Sequence, residues 1–257
     1  MLEVMIKRTL CFMSLMIFTW CAPLQAGEFE TQFSALLATH HLRGTIRGID
    51  LSGVNYAAFK SDPRIALAGK ALADYDLASL KTEKEKLAFW INAYNFSAIR
   101  LVAENWPVKS IKDLGSIFSP VWKKDLGVVA GQHRSLDEIE NDILRRDFKE
   151  PRIHAAIVCA SVSCPDLRGE LFVAAKLEEQ LTDQMKVFLN NKKKGFAETN
   201  AGEATVSPIF KWFASDFEKK SGSVQAFIKQ YQPAVLGGTK LGYFEYDWGV
   251  NNFVKTP

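Results

Sequence analysis

The sequence predicts an α+β fold, a single mostly helical domain around a small β-sheet. Apolar residues recur at spacings of three and four over much of the front half, which is the helical period, whereas segments with strand character are few and short. No internal repeat and no Pro/Ser-rich linker divides the chain. With 257 residues, 47% hydrophobic and 24% charged, it has the composition of a folded globular protein, and disorder is excluded as its main state.

Taken in order, residues 1–26 read as a secretory signal peptide. Lys7 and Arg8 precede an apolar run ending at Trp20, and Ala26 supplies a small residue for cleavage. The run is shorter than the ~18–20 apolar residues that a bilayer span needs. The expectation is therefore a protein secreted across the inner membrane into the periplasm, with residues 27–257 as its domain and no stable membrane span after cleavage. Helices are expected over 29–40 and 65–73. The next begins at Thr82, where Glu85 completes a capping box ahead of Leu87, Trp90, Ile91, Tyr94, Ala98 and Leu101. Phe89, Phe96 and Ile99 make this helix apolar nearly all round, which marks it as central. Residues 127–134 read as a hairpin turning at Gly131. Ser135 and Glu138 form a second capping box for a helix over 135–145. The continuous apolar run 153–160 reads as a buried strand closed by Ser163-Cys164-Pro165-Asp166. Further helices are expected over 175–189, 209–218 and 224–231, with strands over 202–206 and 243–247.

Lys+Arg 32 against Asp+Glu 29, without an extended basic stretch, gives none of the electrostatic footprint that a phosphate backbone requires. Nucleic acid is not an expected partner. The sharpest chemistry lies in His154, Cys159, Ser161, Ser163, Cys164, Asp166 and Arg168, where a rigid element gives way to a loop. Cys159 and Cys164 are the cysteines outside the signal segment, and an oxidising compartment would pair them as a disulfide. Alternatively Cys159 is a nucleophile, which requires an imidazole base and a group to orient it. His154 is the candidate base, His133 the alternative and Asn92 the orienting group. In an ideal strand, His154 and Cys159 would point to opposite faces, so their pairing needs a bulge or a strand end between them. The four histidines, His40, His41, His133 and His154, all precede Cys159, which removes the chain order Cys, then His, then Asn or Asp. His-x4-Cys-x4-Cys lacks the ligand clustering of structural zinc, so no metal and no cofactor are expected. The same spacing departs from the C-x-x-C of redox proteins, which leaves thiol–disulfide exchange as a further alternative. Asn92 and Asn95 fall inside the central helix, where an unsatisfied buried amide costs ~1–3 kcal/mol. They either anchor neighbouring loops or line a polar pocket, and Asn95, Arg168 and Asp247 are the candidate binding residues of such a pocket.

At these residues the chain resembles the domain of unknown function 547 family. The matching segments, in the family's order, are Phe89-Trp90-Ile91-Asn92-Ala93-Tyr94-Asn95, Pro107-Val108-Lys109-Ser110-Ile111, Trp122-Lys123-Lys124, Ser135-Leu136-Asp137-Glu138-Ile139-Glu140, Pro151 through His154 with Cys159 through Pro165, Ile209-Phe210-Lys211-Trp212-Phe213, and Tyr246-Asp247-Trp248 with Asn251. The resemblance implies an exported bacterial protein and assigns no catalytic role. The functional expectation is a cell-envelope binding or assembly module whose ligand is a small molecule, a peptide or an envelope protein. The enzyme alternative is a thiol-dependent hydrolase or acyl transferase using Cys159.

Overall fold

The computed structural model describes residues 27–200, 202–233 and 238–254. The expected signal peptide lies outside the described residues. Helix α4, Glu83–Glu104, is the central element. The Thr82 hydroxyl accepts from the Glu85 N–H at 3.2 Å, and the Glu85 carboxylate accepts from the Thr82 N–H at 2.7 Å, so the box read from the sequence closes both ways. Helices α1 (Glu28–His40) and α3 (Arg64–Ala73) pack on each other, and α1 also meets α4. Phe29 and Phe33 meet Phe96 edge to face at centroid separations of 5.6 and 5.3 Å. Each such buried ring contributes on the order of 2 kcal/mol through area alone, before the ring geometry adds to it.

Strands β1 (His41–Ile46) and β2 (Ile49–Val54) form an antiparallel hairpin, followed by the short helix α2 (Tyr56–Lys60). Strands β3 (Val128–Val129) and β4 (Gln132–His133) form the second hairpin where the sequence placed it. Both hairpins turn through two successive residues at positive φ, Arg47-Gly48 and Ala130-Gly131, the twist that a two-residue turn needs. The third sheet has the order β5-β6-β7, with β5 (Phe196–Asn200) antiparallel and β7 (Lys240–Tyr243) parallel to β6 (Glu203–Val206). The parallel pairing requires a crossover, which helices α7 (Ile209–Trp212), α8 (Ala214–Ser221) and α9 (Val224–Lys229) supply. The whole is one α+β domain whose sheets are small.

Three expectations change in ways that bear on the site. The run 153–160 is not a strand: Ile153–Ala156 is a single helical turn, α5, after which the chain extends through 157–159. A continuous apolar run carries no period with which to separate the two states. Helix 209–218 breaks at Phe213 into α7 and α8. The last strand ends at Tyr243, and residues 244–247 continue as a tail across the cysteine loop. The helix after Ser135 is wider than an α-helix and spans Glu138–Phe148, and α6 (Leu177–Asn190) completes the fold. Among the described residues, no helix is long and apolar enough to cross a membrane.

Candidate functional site

Two apolar cores meet beside α5. One is built on α1, α3 and α4, the other on α6, α7, α8 and α9. At their seam is a cavity of about 320 Å³, lined by Tyr94 and Ile157 from the first core and Ile209 from the second, with Asp137, Glu140, Asn141, His154, Cys159 and Cys164 contributing the polar and reactive groups. Trp122, Trp212, Phe213, Tyr246 and Trp248 complete its wall.

The loop that carries Cys159 is held from both sides. The Asn95 amide donates to Ala156 O at 2.9 Å and accepts from Val158 N–H at 2.8 Å, which replaces the ladder bonds that an extended exit from α5 would lack. On the other side, Val162 N–H donates to Gly249 O at 2.8 Å, Ser163 N–H to Asp247 O at 3.1 Å and Asn251 N–H to Ala160 O at 3.1 Å. Ala160, immediately after Cys159, sits at φ 57°, a left-handed conformation that costs an L-residue on the order of 1 kcal/mol and persists where the surroundings over-determine it.

The Cys159 sulfur is surrounded by donors. The Ser161 hydroxyl lies at 3.0 Å and the Tyr246 hydroxyl at 3.2 Å. The Cys159 N–H donates to the Cys164 sulfur at 2.8 Å, and both cysteines are free thiols. Burial would raise the Cys159 pKa, but hydrogen bonds from the Cys164 thiol, the Ser161 and Tyr246 hydroxyls and the Ser161 N–H outweigh it and bring the thiol below its ordinary value. Burial and the neighbouring Cys159 push Cys164 the other way, so Cys164 keeps its proton and donates it. Tyr246 is likewise raised by burial and by Cys159, and remains a donor.

His154 projects from α5 into the same cavity. Its ring stacks on Phe213 at 4.0 Å, and its Nε2 donates to Asp216 Oδ2 at 2.9 Å. Burial keeps the imidazole neutral, below its usual pKa, against the pull of Asp216. Burial also works against the charge on Asp216, but the bonds from His154 and Arg145 more than offset it and hold the carboxyl well below the usual range. Arg145 donates to Asp216 from Nε at 2.6 Å and to Asn141 Oδ1 at 2.6 Å, and the Asn141 amide donates to Asp137 at 3.0 Å. A chain of hydrogen bonds thus runs from Asp137 along the wide helix to the imidazole. Glu140, on that helix, accepts from the Tyr94 hydroxyl at 3.2 Å, and burial, resisted by that bond, pushes its carboxyl up to about 7.

The structure redistributes the roles expected from the sequence. His154 and Cys159 share the cavity, but the orienting group of His154 is Asp216 rather than Asn92. Both ends of the Asn92 amide are engaged by the Phe172 backbone, at 2.8 and 3.0 Å, so Asn92 anchors the loop before α6. His133 is exposed on the β3–β4 hairpin and bonded to Asp125 at 2.8 Å; it does not line the cavity. Asn95 is a loop anchor. Arg168 pairs with Asp183 at 2.6 Å and with Glu170, and Asp247 pairs with Arg47, so these two brace the surface instead of entering the cavity. Asp216, Glu140, Trp212, Tyr246 and Trp248 were not singled out as site residues. The signal for all but Asp216 was present in the segments that carry the family resemblance.

Neither a curated protein nor a solved structure matches the chain. The sequence model of the family described as protein of unknown function, DUF547, matches residues 77–189. That stretch contains α4, the wide helix, His154, Cys159 and Cys164, and stops before Asp216 and the aromatic residues of the tail. Over residues 77–189, this chain is similar to the DUF547 family.

Proposed function

We propose that the cavity is the reaction site of a thiol-dependent hydrolase or acyl transferase. The observation that carries this reading is one of placement: a thiol ringed by donors and an imidazole fixed by a carboxylate open into the same cavity. In this reading, the bond to Asp216 places the His154 proton on Nε2 and leaves Nδ1 as the basic atom. Cys159 gives its proton to His154, and the thiolate attacks the carbonyl carbon of an ester or amide. A carbon–sulfur bond forms, the bond to the leaving group breaks, and the leaving group takes the proton back from the imidazolium. Water or an acceptor amine then attacks the thioester, His154 takes its proton, the carbon–sulfur bond breaks to release Cys159 as thiolate, and the imidazolium returns the proton to it. Ser161, Tyr246 and Cys164 stabilise the thiolate between these steps.

An activated acyl ester tests the reading. With p-nitrophenyl acetate, the full chain is expected to release a burst of about one equivalent of nitrophenol and to gain one acetyl group on Cys159 by intact mass and peptide mapping. Cys159→Ser should lose the burst. Acetylation elsewhere, or a burst unaffected by that substitution, would refute the assignment.

A further inference from the structure

The cavity wall is aromatic to an extent that the proposed acyl chemistry does not itself require. Trp212 and Trp248 lie 5.8 Å apart with planes 20° from parallel, Tyr246 stands 4.9 Å from Trp212 and 4.4 Å from Trp248, and Trp122 is 6.0 Å from Trp248. Trp212 is nearly half exposed, an unusual state for so large an apolar ring. The ionisable groups lining the same space are Asp137, Glu140, His154, Tyr94, Tyr246 and the two cysteines, and among the described residues no lysine or arginine lines it. The Arg145 guanidinium is turned onto Asp216 and over the face of Phe213 at 4.9 Å. One indole of the wall already receives a cation, since Lys112 Nζ lies 4.8 Å from the centre of the Trp248 ring.

Aromatic faces attract cations through the ring quadrupole, and the attraction is strongest for weakly hydrated alkylammonium groups, which lose little on leaving water. Carboxylates at the same cavity add a charge that an anionic or phosphorylated ligand would meet as repulsion. We propose that the cavity binds a substituted ammonium group against the Trp122, Trp212, Tyr246 and Trp248 wall, with Glu140 and Asp137 as counter-charges, so that its substrates are cationic, amine-bearing acyl compounds. This deepens the acyl-transfer reading and rests on it for the word substrate, while the ammonium site itself stands on the wall and the carboxylates.

The probe is choline, with 3,3-dimethylbutan-1-ol as its uncharged isostere and N-acetylglucosamine as a neutral ligand that stacks on indoles. Titrations at pH 8, where the Glu140 carboxyl is ionised, follow tryptophan fluorescence and calorimetry on the full chain carrying Cys159→Ala, which removes covalent chemistry. Choline is expected to bind saturably with a Kd on the order of 1 mM, and the isostere about tenfold more weakly or not at all. Trp212→Leu changes a half-exposed side chain, and Glu140→Gln keeps the shape of the carboxyl; each should weaken choline about five- to tenfold while the circular dichroism spectrum is retained. Equal binding of choline and the isostere, preference for the sugar, or no choline binding at about 50 mM would overturn the proposal. Because no thiol takes part, its failure would leave the nitrophenyl ester burst untouched, and loss of the burst would leave choline binding untouched.

Discussion

His154 donates from Nε2 to Asp216 Oδ2 at 2.9 Å across 62 residues of chain, and this bond fixes which imidazole nitrogen carries the proton. Asp216 also holds Arg145, so its removal leaves the buried His154 donor unpaired and strips the part-buried Arg145 of its carboxylate. Asp216→Ala is expected to destabilise the protein by about 3 kcal/mol, measured by urea unfolding. Asp216→Asn should cost less stability and still remove most of the nitrophenyl ester burst, because an amide no longer holds the tautomer. An Asp216→Asn protein with an undiminished burst would remove Asp216 from the account.

Tyr246 supplies the Cys159 sulfur with a hydroxyl from the far end of the chain. Tyr246→Phe deletes that donor and keeps the ring, so the apparent pKa of Cys159 should rise by about one unit while stability changes little. Ser161→Ala should act in the same direction through the bond at 3.0 Å. Both are read from alkylation rate against pH, and an unchanged midpoint in the double variant would contradict the donor ring.

Gly53 is where the tail crosses β2. A Cβ there would fall 2.0 Å from the Asn251 carbonyl oxygen, a backbone atom that cannot rotate away. Gly53→Ala should therefore displace residues 246–252 and lower stability by about 1–3 kcal/mol. It should also reproduce the Tyr246→Phe shift of Cys159, although residue 53 is not among the residues lining the cavity. A destabilised variant with unchanged thiol titration would show that the tail does not set the thiol.

Glu140 carries a pH dependence of defined sign. Its carboxyl is raised from 4.5 to about 7 in the folded protein, so the folded state holds that proton more tightly than the unfolded chain. The stability this contributes is complete below about pH 4.5 and is lost as pH rises through about 7. Relative to Glu140→Gln, the wild-type protein should lose up to about 3 kcal/mol over that interval, observed as diverging urea midpoints. Parallel midpoints from pH 4.5 to 8 would mean that Glu140 ionises freely.

How far the sequence discloses this arrangement depends on how local each cause is. The Thr82–Glu85 box and the apolar spacing of α4 are written within a few residues of one another, and the helix forms where they place it. The Ser135–Glu138 box and the Gly131 hairpin are equally local. Segment 153–160 is not, because its apolar run fits either state and the Asn95 amide, 61 residues from Ala156, helps settle it. Once α5 is a helical turn, the opposite-face objection to pairing His154 with Cys159 disappears. Asp216 escaped notice because its pairing with His154 arises only when α7 and α8 break at Phe213 and pack on α5. The buried asparagines announced that partners must exist, but the choice between loop anchor and catalytic orienter is made by tertiary geometry, which assigns both to backbone.

The state and reactivity of Cys159 decide whether the thiol is free and activated. The full, unreduced protein is treated with iodoacetamide across a range of pH, and adducts are located by peptide mass. Two unblocked thiols are expected, with rapid single labelling at Cys159 at a midpoint below the unperturbed ~8.5 and Cys164 labelled only on unfolding. A Cys159–Cys164 bridge in the native protein, or labelling of Cys159 no faster than in the unfolded chain with a midpoint at or above ~8.5, would contradict that expectation.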